Sequence, residues 1–504
     1  MADSTKKIFL AYPDSVREVR DAIQAAVELG AKTAPSLKLH PWTANDIAGK
    51  CLVDPILAEI SGSAFLMADI TKLNFNVVYE IGFAIGKGKR AVLTLHRAVE
   101  NDALLARNTG IFDTLGYMQY NDAESYLGLI DLAEKKPLVA IRNNINRRSP
   151  VYVVFPDEKT EAETRLTSRL KEARITYRQF DPTEESRLTV HQAIQHVSES
   201  HGVILPLVPS SRKESKPHNL RCAFIAGVAH ALEREVLMVQ SGFDPVPLDY
   251  RDFVSSYGKP DEIDSKINRF APKITELLQI ERQQEFPETQ SDLQNLFVGE
   301  SSAENEYSDL QEYYVQVDEF NRVLNGNVQI IAGRKGSGKT AMFYQLTERL
   351  ARDKRRVVVA LKPESFQLRK FKSLISKNFE EGTQDHTITA FWDYLLLLEI
   401  CHELLEKDRG RRIYDPQMRD LYSALSAAYG KDESAFEGDF AERLLHLVES
   451  IEDAFGCAED SQDSNMLTRK DITDLIYKRL SVRLAGPESA NPEEIRISQS
   501  PLRY

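Results

Sequence analysis

The chain has 504 residues, too many for one hydrophobic core, so two to four domains are expected. Its composition, 42% hydrophobic and 28% charged, is that of a soluble globular protein, and no apolar run approaches the ~18 residues that span a bilayer, which excludes a membrane partner at this stage. A formal net charge of -12 speaks against broad phosphate-backbone binding and leaves nucleic acid unsupported; four scattered cysteines without disulfide or metal spacing, and an N-terminus without a signal-peptide pattern, give the cytoplasm as the expected location.

The first predicted element is an apolar strand in "IFLAYPDS" from Ile8, followed by an amphipathic helix. In that helix Val16, Val19, Ile23 and Val27 recur at spacings of three and four, and Gly30 is placed to end it. Asp14, after Pro13, reads as the helix N-cap. A second strand leads into "LHPWTAND", where Trp42 is a candidate for a pocket wall or for the core. After another helix comes the buried strand "AFLMAD" ending in Asp69, a turn holding Asn74 and Asn76, a small-residue helix with Glu80, Gly82 and Ala84, and a further strand.

The same order returns roughly 143 residues later. "VYVVFPDE" from Val151 echoes "IFLAYPDS", "VSESHGVILPLV" from Val197 echoes "ISGSAFLMADIT", and "AGVAHALEREVL" from Ala226 echoes "GFAIGKGKRAVL". Alternating strands and helices imply parallel sheets with helices on both faces. The expected fold class is therefore α/β, with two flavodoxin-like or Rossmann-like domains at 1–145 and 146–280. The second copy lacks the acids: Leu207 faces Asp69, and Phe224 or Ala223 faces Glu80, depending on a one-residue gap. Tyr12 is replaced by Phe155, so only the first copy has a hydroxyl there to line a sugar site.

A polar, acidic linker with some short helix is expected at 281–327, then a P-loop α/β domain with a largely helical C-terminal part at 328–504, closing in a disordered tail. Gly333, Arg334, Lys335, Gly336, Ser337, Gly338, Lys339 and Thr340 satisfy the G-x-x-x-x-G-K-[ST] pattern between an apolar strand (Val328–Ala332) and a helix. The glycines let consecutive backbone N–H groups surround a phosphate, Lys339 reaches the terminal phosphates and Thr340 ligates Mg²⁺, so ATP and Mg²⁺ are the expected ligands. Hydrolysis stays open, because after "RRVVVALKPES" no apolar strand ends in aspartate, and Asp393 precedes "YLLLLEICHELL", which has the content of a packing helix. The ten histidines form no metal pattern.

The segment "SAFLMADITKLNFNVVYEIGFAIGKGKRAVL" resembles the glutamate-bearing region of nucleoside 2-deoxyribosyltransferase-like proteins and, equally, TIR-like nucleotide-binding proteins with an N-x-N-V-x-Y-E-x-G-x-A signature. The resemblance covers most of residues 5–100 and implies cleavage of a base–sugar bond. Glu80 then either stabilises an oxocarbenium-like sugar or forms a covalent glycosyl ester. Asp69 holds sugar hydroxyls or protonates a leaving base; Tyr12, Asn74, Asn76 and Gly82 belong to the substrate site. Nicotinamide leaves neutral from a cationic glycoside and needs no such acid, which puts NAD first among substrates and deoxynucleotides second. The third domain resembles the P-loop ATPase modules of bacterial defence and signalling proteins over about 60 residues. The expected function is thus an N-glycosidase controlled by an ATP-binding module, in the manner of antiphage proteins, acting as a homo-oligomer or with a partner defence protein. The alternatives are a non-catalytic nucleotide-sensing assembly ATPase and a metabolic deoxyribosyltransferase.

Overall fold

The computed structural model describes residues 6–45, 53–132, 145–157, 160–182, 187–242, 244–259, 261–283, 314–334, 336–353, 356–361 and the backbone of 381–408, with single positions besides. The chain divides into two compact units, Met1–Leu296 and Phe297–Tyr504, so both copies share the first unit.

In the first copy, strands β1 (Lys6–Ala11), β2 (Leu37–Pro41), β3 (Phe65–Asp69), β4 (Arg90–His96) and β5 (Tyr117–Tyr120) form one parallel sheet in the order β2-β1-β3-β4-β5. In the second, β6 (Val151–Val154), β7 (Tyr177–Phe180), β8 (Gly202–Leu207), β9 (Glu235–Ser241) and β10 (Val254–Tyr257) repeat that order as β7-β6-β8-β9-β10. Both sheets are therefore doubly wound in the flavodoxin order, with the switch point between the first and third strands of each copy. The central strands are continuous apolar runs because helices cover both faces. Phe65 to Asp69 and Gly202 to Leu207 are buried throughout.

Helix α1 (Arg17–Thr33) buries Val19 and Ile23 of the expected stripe together with Ala26 and Gly30, while Val16 and Val27 are half-buried against the same core. Two local expectations need correction. The helix runs past Gly30, whose carbonyl accepts the capping bond from Ala34 N; Gly30 serves instead as a close packing point, since a Cβ there would lie 3.1 Å from Leu39 Cδ1. The N-cap position is Val16, not Asp14, and no side chain caps it; Asp14 is exposed.

The remaining helices of the unit are α2 (Val53–Gly62), α3 (Phe75–Gly86), α4 (Ala103–Thr109), α5 (Ala123–Leu132), α6 (Glu161–Glu172), α7 (Val190–Ser198), α8 (Ser215–Ala231) and α9 (Glu262–Gln283). Helices α3 and α8 join the copies. Every residue of α3 from Val77 to Gly86 is buried, as expected of a helix enclosed on all sides. A Cβ on Gly82 would stand 2.2 Å from Phe224 O, and one on Gly227 2.1 Å from Tyr79 O. Gly86 likewise faces Ala231, so a small-x-x-x-small step on each helix brings the backbones together. One hydrophobic core consequently contains Phe9, Leu66 and Tyr79 from the first copy with Tyr152, Leu205 and Phe224 from the second.

This crossing fixes the register between the copies. Gly82 matches Gly227, and the left-handed residues Gly88 (φ 69) and Glu233 (φ 56) match at the same offset of 145 (227 against 82, 233 against 88). The mate of Glu80 is therefore Ile225, not Phe224 or Ala223. Phe65 pairs with Arg90 and Gly202 with Glu235, which sets Pro206, not Leu207, opposite Asp69.

In the second unit the described elements are α10 (Asp318–Leu324), α11 (Lys339–Ala351) and α12 (Glu381–Asp408). Helix α10 falls inside the span expected to be linker. Residues 328–334 and 356–361, expected to include strands, carry none among the described residues, and Ile330 (85% exposed), Ile331 and Val357 face solvent. An apolar run becomes a strand only with a neighbour to complete its ladder, and the described residues offer none. "YLLLLEICHELL" lies in α12, as its composition predicts, with Leu395, Leu398 and Leu405 buried. The side chain of Asp393, Lys335 and the C-terminal tail lie outside the described residues. Among the described residues no helix is long and apolar enough to cross a membrane.

Candidate functional site

The carboxyl ends of β1, β2 and β3 gather most of the residues singled out from sequence. Tyr12 follows β1, Trp42 opens a 3₁₀ turn (Trp42–Ala44) after β2, Asp69 ends β3, and Asn74 starts α3. This is the edge on which open α/β sheets bind ligands, beside the switch point. Tyr12 is 2% exposed, its hydroxyl is 3.4 Å from Thr43 Oγ1, and its ring centroid is 6.3 Å from that of Trp42. Burial raises its pKa. Trp42 Nε1 is buried and without a hydrogen-bond acceptor among the described residues.

Asp69 is an internal brace. It is 0% exposed, and its carboxylate accepts bonds from Thr71 N (3.0 Å), Thr71 Oγ1 (3.1 Å) and Tyr120 OH (2.8 Å). Burial pushes its pKa up to about 6 despite those three donors. A raised carboxyl pKa often marks a proton donor. Here desolvation is the largest cause, and Thr71 and Tyr120 enclose the carboxylate. Tyr120 in turn packs edge-on against His96 and Tyr126, and Thr71 Oγ1 accepts from His96 N at 2.8 Å. Asp69 thus links β3 to Tyr120 on β5 and, through Thr71, to His96 on β4.

Glu80 is 4% exposed in the second turn of α3. Asn76 lies one turn before it, at i and i+4 on one helix face. Its Oδ1 is buried and accepts no hydrogen bond among the described residues. Asn74 caps the helix, its Oδ1 accepting from Asn76 N (2.8 Å) and Val77 N (3.4 Å). The 145-residue register sorts these positions. Asn74 recurs as Asn219, Gly82 as Gly227 and Ala84 as Ala229, whereas Asn76 becomes Arg221 and Glu80 becomes Ile225. Gly82 recurs as a glycine that meets the other copy's backbone and faces the Phe224 carbonyl, which places it in the scaffold, whereas Asn219 does not repeat the cap of Asn74, its amide pairing instead with Val208 N and Val208 O. Asn76 and Glu80 remain as the polar pair peculiar to the first copy.

In the second unit the G-x-x-x-x-G-K-[ST] run leads into a helix as expected, without the strand expected before it among the described residues. Gly336 (φ 82) and Gly338 (φ 79) are left-handed, as a ring of inward N–H groups requires, and the 13-residue helix α11 starts at Lys339. Lys339 Nζ donates to Gly333 O (2.8 Å) and Arg334 O (2.9 Å), holding the loop closed at its base. Thr340 is half-buried on the first turn. The donor set, a left-handed glycine pair, a lysine and a hydroxyl at a helix N-terminus, fits a nucleotide phosphate with its Mg²⁺. No group of three metal-ligating side chains occurs among the described residues.

Sequence reasoning missed Thr71, Tyr120 and Asp102, which hold the site's loops; Tyr120 is 51 positions from Asp69, and only the order of strands brings them together. No family model matches the chain. A stretch of 105 residues is 28% identical to the "Putative transposon gamma-delta 80.3 kDa protein" of Escherichia coli strain K12, covering 20% of this chain and 15% of that protein.

Proposed function

We propose that the first copy is an N-glycosidase with NAD as its first substrate, and that the second unit binds ATP with Mg²⁺ through Gly333, Gly336, Gly338, Lys339 and Thr340 and regulates it. One observation carries the reading: Glu80 is a buried carboxylate at a position that the same fold, in its second copy, fills with isoleucine. Burying a carboxylate costs several kcal/mol before compensation, and the second copy keeps the same fold without one. A sugar cation would give the first copy a use for the charge.

In the reaction the bond between the anomeric carbon and the pyridinium nitrogen breaks, and its electron pair leaves with nicotinamide, which departs neutral. Glu80 either faces the oxocarbenium-like carbon as a counter-charge or bonds to it as an ester. Water then adds at that carbon, giving the hydroxyl and releasing one proton. Asn76, whose amide oxygen on the same helix face accepts no hydrogen bond among the described residues, is suited to accept one from a ribose hydroxyl. The enclosure of Asp69 favours NAD over nucleosides whose base must be protonated to leave. When bound, Mg²⁺ would offset phosphate charge at Thr340; Lys339 would bind the terminal phosphates. A cytoplasmic, antiphage role with a self-assembling or partner protein is part of the same proposal and rests on the sequence resemblance.

The test is chromatographic measurement of base release from NAD and from a panel of nucleosides and deoxynucleotides, with and without ATP·Mg²⁺. Nicotinamide release that depends on Glu80 supports the reading. Release from deoxynucleosides alone, with transfer to a second base, would favour the deoxyribosyltransferase alternative.

A further inference from the structure

Arg221 reaches out of the second copy into the first. It is 8% exposed on α8, its Nε donates to Thr109 O at 2.9 Å, and its Nη2 donates to Asn108 O. These carbonyls end α4, where a cation also offsets the negative end of the helix dipole. The next residue, Gly110, has φ 82, and a Cβ there would come within 3.0 Å of Leu188 O. Arg187 Nη2 lies 2.5 Å from Asp113 Oδ2. The second copy therefore meets the segment that ends and follows α4, Asn108 to Asp113, at three points.

The near end of α4 holds the loop that starts the Glu80 helix. Asp102, its N-cap residue, accepts from Leu73 N (3.1 Å) and Lys72 Nζ (3.2 Å), and its own N–H donates to Thr71 O (3.1 Å). Thr71 also holds Asp69, and Asn74 follows at once as the cap of α3. Helix α4 is thus a strut between the second copy and residues 71–73. The arrangement runs one way, because the first copy has Asn76 where the second has Arg221.

The geometry points to a clamp: the second copy, acting through Arg221 and the α4 strut, fixes the β3–α3 loop and with it the orientation of Glu80, which makes Arg221 a positioning residue. The catalytic half of this statement rests on the proposed role of Glu80; the mechanical half does not. It gives the copy without acids a task beyond covering α3.

Amide hydrogen exchange on the full chain reads the clamp directly. Arg221→Met, which keeps the apolar stem, should speed exchange at Leu73 and Asp102 by about tenfold or more, while β1 and β3 keep their protection. Arg221→Lys, which keeps the charge and donors, should restore much of it. Arg187→Gln, at the more exposed grip, should loosen the same amides by a smaller factor and serves if Arg221→Met does not fold. Unchanged exchange at Leu73 in both Arg221→Met and Arg187→Gln would overturn the clamp, as would uniform loosening of the whole unit that Arg221→Lys does not reverse. In the nicotinamide assay Arg221→Met should lower kcat about tenfold with KM little changed, the signature of a misplaced group. If exchange responds but no substrate releases a base, the clamp stands and the glycosidase reading falls.

Discussion

The two copies share a strand order and a glycine crossing, and differ in what they bury along the small-residue helix. The first places Asn76 and Glu80 there; the second places Arg221 and Ile225. Pro206 stands where the first copy has Asp69, and Phe155 where it has Tyr12. The shared features answer to backbone geometry, which both copies must satisfy. The differing ones are polar groups in one copy replaced mainly by apolar groups in the other, and Arg221 has been turned outward to hold the first copy's α4. Comparison within one chain thus separates what the fold needs from the residues to which the proposed chemistry is assigned.

Three perturbations sharpen this contrast. The largest effect is expected where the copies are most alike: Gly82→Ala and Gly227→Ala each set a Cβ against a backbone carbonyl and should each lower stability to urea by about 3 kcal/mol. A cost at only one of them would break the near-symmetry of the crossing. Next is the pH response of Asp69, present in one copy only. Its folded pKa, about 6, lies above the ordinary carboxyl value of 3.8, so the folded state holds the proton more tightly. Its contribution is full below pH ~4 and is lost as pH rises toward ~6, on the order of 3 kcal/mol. Asp69→Asn should flatten that part of the urea stability profile; an unchanged slope would show that Asp69 is not the group responsible. The smallest effect is at the Asn74 cap. Asn74→Ala removes a helix cap and should cost about 1 kcal/mol without abolishing base release. Loss of release with no loss of stability would return Asn74 to the substrate site.

Much of the fold was legible because parallel strands covered on both faces read as unbroken apolar runs, and because α1 keeps one face in water. Helices α3 and α8 were harder. Buried all round, they lose the periodic signal, so the copies could be aligned there only to within one residue until Gly82 and Gly227 met each other's backbones. Local signals misled where tertiary contacts prevailed: Gly30 packs on Leu39 inside its helix, and Asp14 caps nothing. In the site, Glu80 and Asn76 could be found from a linear pattern. The enclosure of Asp69 could not, since Tyr120 reaches it from the sheet's far edge strand. The strand expected before the phosphate loop shows the same limit, because sequence gives an apolar run but not the neighbour that would pair with it.

The most direct test of the central claim compares nicotinamide release from NAD by the wild type and by Glu80→Gln, with near-ultraviolet circular dichroism as the control for folding. Release by the wild type that falls about 1,000-fold or more in a folded Glu80→Gln protein is the predicted result. Equal release by the two proteins would contradict it, and the carboxylate peculiar to the first copy would then not be the group that breaks the bond.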